Sequence, residues 1–197
     1  MNALRSRWRL WRLRRQVERM GRDVQFLGTR IEVKGHIELG DRCILGEGVV
    51  LRTHKQGRIV IGEDVEIADF ALIQCNALLE IGGGTRLGEY CVIRDTNHVM
   101  RGTSLHWRLT PHVTEPITIG PNCYLGAHVY ISPGVTIGEG AVVGPGSVVS
   151  KNIGAFEIWA GYPASFIAHR TEQRVQTTLR RHLDLVSMFG VTAPEES

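Results

Sequence analysis

The sequence lacks the features of a membrane-spanning or secreted protein. No part of its 197 residues forms an uninterrupted apolar run of about 18 to 20 residues, the length that a membrane-spanning helix needs. Arginines occupy the N-terminal region where a secretory signal would have its apolar segment. We therefore expect a cytoplasmic protein with one principal domain.

The sequence also lacks the cysteine and glycine patterns of common cofactor sites. The four cysteines show none of the CxxC spacing that is typical of metal sites and redox motifs. They are Cys43, Cys75, Cys91 and Cys123. We predict reduced thiols and no metal. The glycine-rich stretch 138–146 lacks the GK[ST] that completes a phosphate-binding loop.

Positive charge is concentrated in one segment. Residues 1–22 contain eight arginines and one glutamate, a net charge of +7, whereas the whole chain carries +3. The remainder therefore carries about −4, and no basic surface for nucleic acid is evident in it. The apolar residues of the segment fall on one face of a predicted helix, at Leu10, Leu13, Val17 and Met20. Such a helix either packs on the protein or lies on an anionic membrane as a peripheral anchor.

A period of six residues runs through the middle of the chain. One position of each hexad is aliphatic, and four residues later comes a mostly small residue. The aliphatic residues are Val33, Leu39, Leu45, Leu51, Ile61, Ile67, Ile73, Ile81, Leu87, Ile93, Ile119, Leu125, Ile131, Ile137, Val143 and Val149. The small residues are Cys43, Val49, Val65, Ala71, Ala77, Thr85, Cys91, Cys123, Val129, Val135, Ala141 and Ser147.

A period of six is neither helical nor the simple alternation of a hairpin. It predicts short strands that turn a corner every six residues and stack on the coils above and below, with both periodic positions pointing inward. Three of the four cysteines then occupy the small inward position, so we interpret them as core residues. The predicted fold class is an all-β parallel β-helix with flanking N- and C-terminal α-helices.

Four motifs resemble the hexapeptide-repeat acyltransferases, in particular the galactoside and maltose acetyltransferase branch, which includes O-acetyltransferases of surface-polysaccharide synthesis. They are PITIGPNCYLG at 116–126, ISPGVTIG at 131–138, VGPGSVVSK at 143–151 and AGYPA at 160–164. The resemblance extends over residues 31 to about 168. It implies a left-handed triangular β-helix, assembly as a homotrimer and acetyl-CoA as the acyl donor.

The period breaks between Ile93 and Ile119, which are 26 positions apart. Long insertions in compact domains are usually functional. At the base of this one, Asn97 holds the small inward position and His98 follows. The resembling acetyltransferases carry their catalytic histidine where this loop leaves the helix, which assigns His98 as general base. Asp95 or a backbone carbonyl could orient its ring, and Asn97 could bind the acceptor or cap the loop.

This assignment suits the chemistry of acyl transfer. A neutral imidazole can take the proton of a hydroxyl and return it to a leaving thiolate, which is typically worth about 10² to 10⁴ in rate. His106 and His112 of the loop could touch the acceptor or a neighbouring subunit. The other histidines are most simply surface residues.

The resemblance further implies a coenzyme A groove between subunits, next to Tyr124. Small residues at Gly126-Ala127 and Gly144-Pro145 would allow the pantetheine arm to approach the backbone. The family often has serine at the position of Ala127, and its backbone N–H helps hold the thioester oxygen. Alanine keeps that N–H.

Two polar residues match the adenosine end of that groove. Ser150 and Lys151 correspond to a threonine-lysine pair of the family, where a cation suits the phosphates. Ser165 stands where family members commonly have lysine or arginine. One phosphate contact is therefore missing unless Arg170 supplies the charge.

These observations divide the chain into a basic helix at 1–24, a catalytic β-helix at 25–168 with a loop at 98–118, and a C-terminal helix and tail at 169–197. The predicted function is O-acetylation of a saccharide or a lipid-linked saccharide in surface polysaccharide or O-antigen synthesis. An amino-sugar N-acetyltransferase would need the same base and donor. Two further alternatives are a metal lyase like the γ-class carbonic anhydrases, for which a close pair of histidines is missing, and a non-catalytic scaffold.

Overall fold

The computed structural model describes residues 11, 13, 15–54, 56–99 and 101–171. They form a parallel β-solenoid with three faces, and the chain visits the faces in a fixed order before it starts the next coil. This arrangement confirms the all-β fold class that the six-residue period predicts. No helix among the described residues is long and apolar enough to cross a membrane.

The strands of each face stack in parallel along the solenoid. Face A contains β1 Arg19–Met20, β4 His36–Leu39, β7 Arg58–Ile61, β10 Leu78–Ile81, β15 Ile117–Ile119 and β18 Thr136–Ile137. Face B contains β2 Gln25–Phe26, β5 Ile44–Leu45, β8 Glu66–Ile67, β11 Arg86–Leu87, β16 Tyr124–Leu125, β19 Val142–Val143, β21 Glu157–Gly161 and β22 Ala164–His169. Face C contains β3 Glu32–Lys34, β6 Val50–Thr53, β9 Leu72–Cys75, β12 Val92–Arg94, β17 Tyr130–Ile131 and β20 Val148–Val149.

The core consists of the two rows that the sequence predicts and two rows that it does not. Every aliphatic residue of the hexads is buried, and so are the small residues except the half-buried Ala77. The additional inward positions on face A hold Ile37, Ile59, Leu79 and Ile117. Those on face C hold Thr53, Cys75 and Asp95. Each fully buried Ile or Leu contributes about 1.5 to 3 kcal/mol through removal of apolar surface from water, so the rows supply most of the stability.

The corners bring successive coils very close together. A Cβ atom added to Gly126 would lie 2.7 Å from the backbone nitrogen of Pro145 on the next coil. One added to Gly88 would lie 2.6 Å from the nitrogen of Ala127. Glycine is therefore required at these positions by the spacing of the coils.

The predicted N-terminal helix ends earlier than residue 22. Trp11 and Leu13 are helical, but Arg19–Met20 is strand β1, which pairs with Glu38 and Leu39. The backbone pairing to the next coil outweighs the helical spacing of the apolar residues. The solenoid therefore begins at residue 19 and not at 25.

The remaining terminal predictions fall mostly outside the described residues. These include residues 1–10 and all but residues 169–171 of the predicted C-terminal helix and tail at 169–197. Of the predicted apolar helix face, Leu13 and Val17 are buried against the first coil. The last coil is followed by the antiparallel pair β21 and β22.

The insertion forms a short arm at the corner between faces C and A. Its two sides are β13 Thr96–His98 and β14 His112–Thr114, which pair antiparallel. A 3-10 turn, Trp107–Leu109, lies between them. The arm therefore leaves the solenoid two residues before the predicted start at 98 and returns at β15.

Candidate active site

The arm holds His98 in an aromatic environment. His98 lies opposite His112 in the antiparallel pair, and the two ring centroids are 4.1 Å apart. Trp107 meets the His98 ring edge-on, with centroids 5.5 Å apart. These contacts fix the plane of the imidazole at the mouth of the arm.

A hydroxyl fixes the direction in which that imidazole can accept a proton. Nδ1 of His98 lies 3.1 Å from Oγ1 of Thr110, which is 4% exposed. The Thr110 hydroxyl donates its single hydrogen to the carbonyl oxygen of Trp107 at 2.7 Å. Toward His98 it must therefore accept, so Nδ1 carries the hydrogen and Nε2 carries the lone pair.

Asp95 has a structural role that differs from the predicted orienting role. Its side chain is 1% exposed and accepts hydrogen bonds from the backbone N–H groups of Asn76 and Ala77 at 2.7 to 2.9 Å. The Cys75 thiol and the Thr96 hydroxyl also donate to it. Its position explains this difference, because the alternation along β12 points Asp95 into the core above Cys75. The carboxylate thus ties the base of the arm to the coil below.

The environment of the Cys75 thiol disfavours the reactive thiolate form. Burial and the neighbouring Asp95 raise the pKa of Cys75 to about 12. Burial also raises the pKa of the other three cysteines, all of which are free thiols in the core. The interpretation of the cysteines as core residues is confirmed.

Asn97 does not occupy an inward position. The chain leaves the coil after Asp95, so Asn97 is exposed on the arm. Its side-chain oxygen accepts a hydrogen bond from the backbone N–H of His98 at 2.9 Å. This contact matches the capping alternative and leaves the side-chain NH₂ group facing outward.

A cavity of about 310 Å³ opens beside His98. It is lined by His54, Gln74, Asn76, Arg94, Asp95, Thr96, Asn97, His98 and His112. Nε2 of His54 lies 2.7 Å from the Gln74 amide nitrogen, which donates to it. The cavity is thus polar, and both of the predicted arm residues His98 and Asn97 face it.

Four of the predicted donor residues, Gly126, Ala127, Gly144 and Pro145, lie along another corner, between faces B and C. On each coil one residue opens this corner. Along five successive coils it is Glu47, Asp69, Glu89, Ala127 and Pro145. The carboxylates of the first three would repel phosphates, whereas the last two are small and neutral. The Ala127 N–H has no acceptor among the described residues, and its carbonyl accepts from Gly146 N–H at 2.8 Å.

The remaining predicted donor residues are divided between face B and the corner between faces C and A, where Ser150 and Lys151 lie across face C from Ala127. Tyr124 is 48% exposed on β16, and Gly144 is half-buried beside it on the next coil. Ser150 and Lys151 are exposed after β20. Arg170 donates a hydrogen bond to the carbonyl oxygen of Gly140 at 2.6 Å, a structural contact that the sequence does not indicate.

The corner between faces B and C also carries a stack of flat side chains. The rings of Phe70, Tyr90 and His128 lie on successive coils, with centroid distances of 5.2 and 4.9 Å. His128 is therefore part of a ladder one corner away from His98. Within the described ranges, no group of three His, Cys, Asp or Glu side chains is arranged to hold a metal ion.

The repeats also match a known family. Residues 116–151 match the model of the bacterial transferase hexapeptide (six repeats). These residues are therefore similar to the hexapeptide-repeat transferases. The matched segment contains the proposed donor residues from Tyr124 to Lys151.

One sequence relative and two solved structures are similar to most of the chain. A probable acetyltransferase of Mycobacterium tuberculosis is 29% identical over 171 residues, which are 82% of this chain and 57% of that protein. The chain thus spans little more than half of that relative. A variant of the N-acyltransferase AntD of Bacillus cereus, solved with dTDP-4-amino-4,6-dideoxyglucose and coenzyme A, has a TM-score of 0.71 at 19% identity, over 89% of this chain and 96% of that one. A maltose O-acetyltransferase of Clostridium difficile has a TM-score of 0.59 at 23% identity, over 87% of this chain and 80% of that one.

Sequence reasoning does not identify three residues of the site. Thr110 lies in an irregular part of the arm, 12 residues from His98, and no pattern marks it. His54 follows the inward Thr53 at the same corner, so the register could have indicated it. Arg94 could have been found from the alternation along β12, which points it outward beside Gln74.

Proposed function

We propose that the hexapeptide-repeat chain is an acetyl-CoA-dependent acyltransferase that acylates a saccharide hydroxyl, with His98 as general base. The observation that carries the proposal is the Thr110 contact, which leaves Nε2 of His98 as the proton acceptor beside a polar cavity. A general base needs this combination of a defined tautomer and access to the substrate.

The proposed proton movements balance around one imidazole. Nε2 of His98 takes the proton of the acceptor hydroxyl as its oxygen bonds to the acyl carbon. The imidazolium, with both nitrogens protonated, keeps its Nδ1 hydrogen bond to Thr110. It then returns the Nε2 proton to the departing sulfur. Acetyl-CoA, when bound, supplies the activated acyl carbon and the thiolate leaving group.

The residues at the donor corner fit such a ligand. The N–H of Ala127 is free to bind an oxygen that gains negative charge, which is typically worth about 3 to 4 kcal/mol. Gly126, Gly144 and Pro145 leave the surface shallow above it. Lys151 lies across face C from Ala127, at the corner between faces C and A, and would supply a cation for the phosphates from there.

The geometry of one chain favours a site shared by two copies. His98 projects from the corner between faces C and A, whereas Ala127 lies at the corner between faces B and C. A solenoid face of five to six residues is roughly 16 to 20 Å wide, which exceeds the reach of a direct hydrogen bond. We therefore propose a homotrimer in which the arm of one subunit meets the donor corner of the next.

The nature of the acceptor atom separates the principal candidates. We propose an O-acetyltransferase of surface polysaccharide or O-antigen synthesis. An amino-sugar N-acetyltransferase would use the same base and donor corner. The likeness to AntD supports keeping this alternative in the experiment.

An acceptor screen tests the proposed activity. Purified full-length protein is mixed with acetyl-CoA and a panel of neutral, acidic and amino sugars, and free thiol release is followed. Acceptor-dependent thiol release and an acetyl ester in the product support the proposal. An acetyl amide would establish the alternative. No release with any acceptor, together with no binding of coenzyme A, would contradict both.

We also propose that the protein is cytoplasmic and that its arginine-rich N-terminus contacts the inner face of the membrane. The +7 charge of residues 1–22 supports this, because a basic residue near an anionic surface gains about 1 kcal/mol. Removal of residues 1–10, which contain three of the eight arginines, should weaken salt-sensitive binding to vesicles that contain phosphatidylserine. If the full-length protein does not bind these vesicles, the segment packs on protein instead.

A further inference from the structure

The arginines of the regular coils follow a common rule. Each pairs with a carboxylate on a neighbouring coil, so its charge is locally neutralised. The pairs are Arg19 with Glu38, Arg22 with Asp41, Arg30 with Glu47, Arg42 with Glu63 and Asp64, Arg52 with Glu32, Arg58 with Glu38, and Arg86 with Glu66.

Arg94 departs from this rule. It is the last residue of β12, it is exposed, and no carboxylate among the described residues pairs with it. Its neighbour in register on the coil below is Gln74, which carries no charge. The corresponding arginine one coil further down, Arg52, is held by Glu32 at 2.7 Å.

Arg94 has no carboxylate partner within the described lining of the cavity. Arg94 lines the 310 Å³ cavity beside His98, together with His54 and His112. Asp95 is the acidic residue of the lining, and its two oxygens are taken up by the N–H groups of the coil below. No carboxylate of the described lining is therefore available to the guanidinium.

We propose that Arg94 binds an anionic group of the acceptor, a phosphate or a carboxylate, and thereby places the acceptor against His98. A guanidinium presents several N–H donors in a planar fork that matches either group. The outward NH₂ group of Asn97 and the side-chain oxygen of Gln74 then remain for the hydroxyls of the sugar. The acceptor class is an acidic saccharide: a sugar phosphate or a uronic acid.

This inference rests on the proposed function for the identity of the cavity as the acceptor site. Its geometry nevertheless makes a prediction that does not require turnover. An unneutralised arginine at the mouth of a polar cavity should favour anionic over neutral sugars in simple binding. Arg52, on the same face but paired with Glu32, provides a matched control.

The test is calorimetric titration of the full-length protein with glucose, glucose 1-phosphate and glucuronate. We expect at least one of the anionic sugars to bind about tenfold or more tightly than glucose. Arg94→Gln should remove that preference, Arg94→Lys should retain part of it, and Arg52→Gln should leave it unchanged. Whichever anionic sugar binds more tightly identifies the source of the charge as phosphate or carboxylate.

Three results would overturn the inference. They are equal binding of glucose and both anionic sugars by the wild-type protein, an unchanged preference in Arg94→Gln, and a loss of coenzyme A binding or of oligomeric mass in Arg94→Gln without an effect on the sugars. The last would make Arg94 a donor or subunit contact.

Turnover separates this inference from the proposed function. An Arg94-dependent preference with no thiol release on any acceptor would support the anion site and contradict the transferase. Thiol release whose KM for an acidic acceptor is the same in Arg94→Gln and the wild-type protein would support the transferase and contradict the anion site.

Discussion

Nδ1 of His98 lies 3.1 Å from the hydroxyl oxygen of Thr110, and that hydroxyl gives its own hydrogen to Trp107. A neutral imidazole has one donor and one acceptor nitrogen, so the contact decides which is which. Thr110 is a positioning residue in this account. It acts through His98 and not on the substrate.

Thr110→Val should lower kcat by at least about tenfold, a part of the 10² to 10⁴ that a general base supplies. Valine keeps the shape of the side chain but cannot hold the Nδ1 hydrogen, so the imidazole samples the wrong tautomer. Thr110→Ser keeps the hydroxyl and should restore most of the rate. Steady-state kinetics across pH measure both variants, and equal kcat values in Thr110→Val and the wild-type protein would refute the positioning role.

Asp95→Asn should destabilise the fold rather than act on the chemistry alone. The amide would present an NH₂ group to backbone donors that now share a buried carboxylate, and a hydrogen bond to a charged group is worth about 1.5 to 3 kcal/mol. Thermal or urea unfolding should show this loss. Asn97→Ala, at an exposed position, is the control and should change stability by less than about 0.5 kcal/mol.

Ala127→Pro should remove the proposed oxyanion donor without disturbing the corner. Pro145 occupies the same position on the next coil and also follows a glycine, so the backbone there accepts proline. We expect kcat to fall about 10² to 10³ with little change in coenzyme A affinity or melting temperature. Glu89→Pro, one coil below, is the matched control. A comparable loss of kcat in both variants would show that the effect is structural.

Mixed oligomers should recover activity if the site lies between subunits. His98→Ala chains lack the base and Ala127→Pro chains lack the donor N–H, but one interface of a mixed trimer can combine an intact copy of each. Co-expression with two tags, purification through both and a thiol-release assay measure the recovery. Verified mixed trimers without activity would place the whole site within one chain.

The sequence predicts the core of this fold well because the solenoid repeats one local rule. Each coil buries its aliphatic residue at the same place. Leu45, Ile67 and Leu87 therefore have equivalent environments, and the six-residue period appears directly in the sequence. The first coil is not predicted from the sequence, because its spacing departs from this period. Met20 and Phe26 are six apart, but one extra residue separates Phe26 from Val33, and the arginines around Met20 suggest a helix.

The site is harder to predict because it forms where the period stops. His98 was identified by resemblance, whereas Thr110 reaches it only through the fold of the arm. From the sequence, either Asp95 or a backbone carbonyl is a candidate for orienting the imidazole. The alternation along β12 instead turns Asp95 inward. Cys75, which holds the equivalent position on the coil below, could have indicated this from the sequence.

The most direct test of the account is turnover by His98→Ala with acetyl-CoA and the acceptor that the screen identifies. A base acts in the transition state and not in donor binding, so kcat should fall by at least about 10² while the Kd for coenzyme A stays the same. Turnover close to that of the wild-type protein would contradict the assignment of His98 and with it the proposed mechanism.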